Sequence, residues 1–305
     1  MQLSIFSVSY AGYWGQHKLD VCAFISQAAK LGYGAVMLAG KRPHLSPLDA
    51  DADYLASVKA ALEEHNITCG VIAGYTDLSP TAAAEVPYLE MQIAYVESLA
   101  RLAAELGAKV VRVFTAYEAD GHSPYAIWSG VVRTLREMSD RAAAFGVTLA
   151  VQNHHDLGVH TDVLLEMLHD IDRPNCKLGF DAWSPALRGE DLYECAKRMA
   201  PHAAITTNAD YVRLPRYRYH PDLINYERTL PDLVRAVKFG DGFIDYAAFF
   251  RGLQEGGFDG IANYEMCSPV RGGGAIENLN AFAARYVEWM RNNVLDPASS
   301  SSVTR

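Results

Sequence analysis

Short apolar runs rich in branched residues alternate along this chain with longer stretches whose apolar positions recur at helical spacing, the pattern of successive β/α units. The alternation predicts strands at Leu3–Ser9, Gly34–Ala39, Ile67–Ala73, Lys109–Phe114, Val147–Asn153, Cys176–Asp181, Ala203–Asn208 and Gly260–Glu265. It predicts helices near Asp20–Leu31, Asp51–His65, Glu85–Leu106, Pro124–Phe145, Thr161–Ile171, Asp191–Met199, Tyr246–Glu255 and Ile276–Asn292. Gly32, Gly107 and Gly146 each stand where a helix should hand over to a strand, as a left-handed C-cap requires. One segment, Tyr211–Leu230, breaks the rhythm and reads as an irregular, aromatic-rich insertion.

Eight such units in one chain, with no Pro/Ser-rich linker between them, predict a single-domain α/β fold, a (β/α)8 TIM barrel over residues 1–294. An open doubly wound sheet would call for a G-x-G-x-x-G after the first strand, and none is present. The tail from Leu295 to Arg305 is low in complexity and expected to be disordered.

Composition narrows the partners. Half of the 305 residues are hydrophobic, enough for a large core, yet charges interrupt every apolar run, so no membrane span is expected. The N-terminus enters a strand without a basic region, so no signal peptide is expected. Five cysteines without CxxC spacing fit a reducing cytoplasm. A formal charge of −9, with no basic run longer than two residues, argues against nucleic acid and anionic membranes.

In a barrel the chemistry collects at the C-terminal ends of the strands. Here four successive strands end in ligand-capable side chains: Gln152-Asn153-His154-His155, Asp181-Ala182-Trp183, Thr207-Asn208-Ala209-Asp210 and Tyr264-Glu265. Strand alternation puts Gln152 and His154 on one face, the barrel interior. Glu265, His154 and His155 are the candidate acid–base groups, and Asn153 a candidate substrate contact. Trp14 and Trp183 are candidate stacking platforms, and Arg213 and Arg216, set among tyrosines, candidate clamps for a polyhydroxylated ligand, with a subunit-contact loop as the plainer reading. Arg271-Gly272-Gly273-Gly274 reads as a phosphate site or a mobile lid.

The run Gly240-Asp241-Gly242-Phe243-Ile244-Asp245, then Gly257-Phe258-Asp259-Gly260, then Tyr264-Glu265, together with these strand ends, resembles the xylose isomerase-like barrel superfamily of sugar isomerases, sugar 3-epimerases and inosose dehydratases. The resemblance implies a divalent metal, Mn2+ or Mg2+, held by Glu, Asp, His and Glu from strands five to eight. Those positions fall on Gln152, Asp181, Thr207 and Glu265, so two of the four ligand types are changed. It also places a substrate-oxygen arginine on Arg213 and puts Ser184 where the epimerases have a histidine. Amide and hydroxyl oxygens hold a divalent ion less well than carboxylate or imidazole. Either His154 or His155 restores a nitrogen ligand, or the pocket works through hydrogen bonds and one base.

The resulting expectation is a metal-assisted isomerase or epimerase of a keto sugar or sugar derivative. A lyase or hydratase eliminating from a 3-keto glycoside or inosose is the alternative, and a non-catalytic sugar-binding barrel the third. A small carbohydrate is the expected partner, and homo-oligomerisation is expected only by analogy with the family.

Overall fold

The barrel strands are apolar on both faces, as a parallel sheet covered by helices outside and packed side chains inside demands. The computed structural model describes residues 1–80 and 85–296. Eight strands close into a parallel barrel: β1 (Gln2–Phe6), β2 (Ala35–Ala39), β3 (Thr68–Ala73), β4 (Val110–Val113), β5 (Thr148–Gln152), β6 (Cys176–Gly179), β7 (Ala203–Asn208) and, after the two strands β8 and β9 described below, β10 (Ile261–Tyr264). The hydrogen-bonded order β1-β10-β7-β6-β5-β4-β3-β2 is that of a (β/α)8 barrel. Its helices are α1 (Val21–Lys30), α2 (Ala52–Glu64), α3 (Tyr88–Glu105), α4 (Pro124–Ala143), α5 (Thr161–Ile171), α6 (Trp183–Arg188), α7 (Leu192–Met199), α8 (Tyr246–Glu255) and α9 (Ile276–Met290).

Alternation along each strand divides the core in two. Val36, Leu38, Ile72, Val111, Val113, Leu149 and Leu178 pack into the cluster shared with the helices, whereas Phe6, Met37, Val71, Ala73, Val110, Ala150 and Ile205 form a separate cluster. The alternation assigns that second cluster to the barrel interior. Side-chain caps fix where several helices begin. Asp20, Asp51, Asp191 and Asp245 each accept a backbone N–H of the first turn, at 2.8 to 3.1 Å. Gly107 and Gly146, at φ 77° and 67°, make the left-handed exits expected of them.

Three expectations are corrected. The first strand stops at Phe6, because Ser7–Tyr10 turn into a short 3-10 helix whose Ser7 Oγ accepts the Ala39 N–H. A short helix, α6, follows β6 after Phe180, Asp181 and Ala182. The supposed irregular insertion is a long antiparallel hairpin, β8 (Asp210–His220) paired with β9 (Asn225–Val237). It lacked a strand signature because most of its length faces water on both sides, so no apolar alternation marks it; only Asp210 and Tyr211 on β8 and Ala236 and Val237 on β9 are buried at its root. The expected disordered tail lies, beyond Asp296, outside the described residues. Among the described residues no helix is long and apolar enough to cross a membrane.

Candidate active site

The period of two along each strand delivers the polar groups. Ala150 and Ile205 belong to the interior cluster, and Gln152 and Thr207 follow them at the ends of β5 and β7. Asp181 lies two residues past Gly179 of β6, and Glu265 immediately after β10. These four line one cavity of about 190 Å³ together with His154 and Trp183. A second cavity of about 380 Å³ shares Gln152, His154, Glu265 and Cys267 with it and opens past Trp14, Tyr75, Arg112, Phe114, Tyr117 and His155. The combined space suits a small polar molecule.

Asp181 is buried and densely bonded. Gln152 Nε2 donates to its Oδ2 at 2.8 Å and the Trp183 N–H to its Oδ1 at 3.2 Å. Burial pushes this carboxyl up to about 7; the Gln152 hydrogen bond pulls the other way and the Glu265 charge adds to the rise. Glu265 is half-buried and lines both cavities. Its carboxyl is also raised, chiefly by burial, against the Cys267 thiol donating to Oε1 at 3.1 Å and the Arg112 charge. Cys267 Sγ in turn lies 3.0 Å from Tyr211 Oη, and burial holds the thiol protonated.

The two histidines differ in kind. The N–H of His155 donates to His154 Nδ1 at 2.9 Å, so the proton of a neutral His154 sits on Nε2. Desolvation at the cavity head, then the charges of His155 and Arg112, lower its pKa, an effect tempered by the ring's exposure to solvent. His154 is thus a neutral hydrogen-bond donor. His155 is held at φ 63°, ψ 164°, with its ring 4.0 Å from Tyr117 and 4.8 Å from Phe114. Trp14, at the rim, also has a left-handed φ of 54°. Backbone strain of this kind persists where surrounding contacts enforce it, and it concentrates at functional sites.

Not every expected residue reaches the cavity. Asn153 is consumed in scaffolding: its Nδ2 donates to Asp181 O at 2.9 Å and its Oδ1 accepts the Asp181 N–H at 2.8 Å, which fixes the carboxylate's position. Arg213 packs over Phe243, its guanidinium carbon 4.0 Å from the ring centre, and donates to Ala186 O, and Arg216 donates to Pro231 O on the hairpin; neither lines the two cavities described above. Ser184 donates to Asn153 O. In the glycine run 272–274, Gly272 and Gly273 take left-handed φ values of 87° and 90°, and a Cβ on Gly274 would collide with the Gly15 backbone, while His17 N–H donates to Gly274 O.

The residue that the strand-end search passed over is Arg112. It interrupts Val110-Val111-Arg112-Val113-Phe114, a charge inside a strand buried on both faces, and that interruption was the available signal. Its register neighbours are Ala73 and Ala150, whose small side chains leave room for the guanidinium.

The donor set does not fit a divalent ion. Only two of the four expected ligands are carboxylates, and Gln152 turns its amide N–H toward Asp181. Thr207 offers a neutral hydroxyl, whose Oγ1 is buried without a partner. Among the described residues no three His, Cys, Asp or Glu side chains are grouped to hold a metal. Hard cations call for more charged oxygen than this arrangement supplies.

A closed parallel barrel with its polar groups gathered at the C-terminal mouth defines the class. Residues 25–292 match the xylose isomerase-like TIM barrel family, and the chain belongs to it. An inosose dehydratase of Lacticaseibacillus casei is 25% identical over 191 residues, which cover 57% of this chain and 62% of that protein's length. The chain therefore matches somewhat under two thirds of that relative. Among solved structures, the probable 3-DHS dehydratase AsbF of Bacillus anthracis superposes with a TM-score of 0.73 at 16% identity, covering 96% of this chain and 99% of that one. D-allulose 3-epimerase from Methylomonas sp. gives 0.71 at 15% identity, covering 96% and 98%.

Proposed function

We propose that the chain is a dehydratase of small hydroxylated ketones, with Glu265 as base and His154 as carbonyl-polarising donor. One observation carries this: Glu265 is the half-open carboxylate common to both cavities, because the strand-five position is Gln152, already bonded to Asp181, while Asp77 on the wall of the larger cavity is held by the Ser79 N–H and hydroxyl. Glu265 takes the proton from the carbon beside the carbonyl, and the electron pair passes into the carbonyl as an enolate. His154 Nε2–H donates a hydrogen bond to the oxygen that gains this charge, as a neutral imidazole can when its pKa is low. Collapse of the enolate forms the C=C bond and expels the β-hydroxyl, which takes the proton back from Glu265 and leaves as water. One base on one face suffices for this sequence. Burial, by raising the Glu265 pKa, makes it a better proton acceptor and returner near neutral pH. The inosose dehydratase relative supports the reading.

Isomerisation of a keto sugar is the second reading. The same carboxylate can carry a proton between adjacent carbons, and one of the structural neighbours is a D-allulose 3-epimerase. Epimerisation itself asks for a second base on the opposite face, and Gln152 does not titrate. An assay of inososes and keto sugars separates the readings: elimination loses water and releases an unsaturated ketone with new ultraviolet absorbance, while isomerisation leaves the molecular formula and the number of hydroxyls unchanged. Glu265→Gln should lower kcat by about 10²–10⁴ with either substrate type. Substrate bound with no turnover in the wild type would leave a sugar-binding barrel as the function.

A further inference from the structure

The inside of the barrel holds a cation that no carboxylate touches. Arg112 is 2% exposed and lines the larger cavity, yet its Nε and Nη1 have no hydrogen-bond partner, and among the described residues it forms no salt bridge. Aromatic rings pack around the guanidinium instead: Phe114 at 4.0 Å, Tyr75 at 5.1 Å and Phe6 at 5.5 Å from its centre. Tyr75 Oη lines the same cavity beside the guanidinium, helps to hold its proton and is otherwise buried without a partner. Lys41 Nζ lies 3.7 Å from the centre of the Tyr75 ring and is near enough to Arg112 for their charges to repel. A buried charge is normally paired and hydrogen-bonded. Glu265 supplies partial compensation through space without bonding to it.

We propose that Arg112 and Tyr75 form an anion subsite that receives a carboxylate carried by the substrate, so that the compound dehydrated is a hydroxylated keto acid and not a neutral sugar. The inference deepens the dehydratase reading and rests on the same cavity. The planar guanidinium matches a planar carboxylate and is buried among aromatic rings, a low-dielectric setting that strengthens a charge-assisted hydrogen bond. A tetrahedral phosphate fits less well, since such groups are usually cradled by several backbone N–H groups at a helix N-terminus or glycine loop. The anion would sit beside Glu265 and His154, which line the same cavity, placing the rest of a six-carbon ring within it.

Calorimetric titration of the full chain with quinate, a hydroxylated cyclohexane carboxylate, and with myo-inositol, its neutral counterpart, tests the assignment. The wild type should bind quinate at least tenfold more tightly, and inorganic phosphate should compete only weakly. Arg112→Met should erase the preference while leaving myo-inositol affinity in place; Arg112→Lys, which keeps the charge and serves if the methionine variant does not fold, should retain part of it. Equal affinity for the two ring compounds, or phosphate binding as tightly as quinate, would overturn the carboxylate subsite while the cavity assignment stood. If neither ring compound bound, both would fall.

Discussion

Glu265 and Asp181 show how one environment gives two carboxylates different work. Both are raised by burial, but Asp181 is enclosed by Gln152 and backbone N–H donors, whereas Glu265 opens to the cavities. The first lines only the smaller cavity, with its carboxylate oxygens engaged by those donors, and the second lines both. The first leaves a mark on stability. Its folded pKa of about 7 stands above the ordinary unfolded value of about 3.9. The folded state therefore holds the proton more tightly, and the stabilisation is full below the unfolded value and lost as pH rises through the folded one. Asp181→Asn removes this titration. Urea midpoints should show the wild type losing ground to that variant between about pH 4 and pH 7; a difference that does not change with pH would show that Asp181 ionises freely. Arg112 makes the opposite sacrifice, because an unpaired buried charge destabilises the empty barrel. Arg112→Met is expected to raise unfolding free energy by about 1–4 kcal/mol in ligand-free protein, checked by the same denaturation, even as it removes the anion preference.

At the scale of elements, the β/α units were legible because each couples an apolar strand to a capped, amphipathic helix: Asp20 and Asp51 open α1 and α2, and Gly107 and Gly146 close α3 and α4. The strand ends of β5, β6, β7 and β10 were legible too, since polar residues follow apolar runs there. Two features escaped. Arg112 lies in the body of β4, and a search confined to strand ends does not meet it. The β8–β9 hairpin carries no one-sided apolar pattern, because Tyr217, Tyr219 and Tyr226 are exposed among arginines. That exposure makes a prediction. Arg213 and Val234 are register partners, so residues 214–233 can be replaced by Asn-Gly, a two-residue turn suited to closing paired strands. The shortened chain should keep its barrel, with a circular dichroism spectrum still dominated by helix and a cooperative melt. Loss of cooperative unfolding would mean that the projecting strands support the barrel and do not merely extend from it.

Across the whole molecule, the barrel separates what is fixed from what varies. The alternating interior, the helix caps and the closing Gly-x-Gly segment set the positions of four strand ends regardless of which side chains occupy them. Gln152 and Thr207 stand at two of those ends, and they turn a donor set suited to a divalent ion into a hydrogen-bonded one. The backbone should then accept the reverse change. Gln152→Glu with Thr207→His gives this chain the Glu, Asp, His, Glu set that its family resemblance implies, on strands already in register. In the wild type, saturating Mn2+ should move Tm by less than about 1 °C, and EDTA should leave activity unchanged; in the double variant Mn2+ should raise Tm by about 5 °C or more, because a ligand that binds only the folded state stabilises it. A large Mn2+ shift in the wild type would show that the amide and hydroxyl suffice as ligands, and would return the metal to the mechanism. A double variant that folds yet ignores Mn2+ would place the difference in the spacing of the strand ends, and the site would then owe its metal indifference to the barrel itself and not to two side chains.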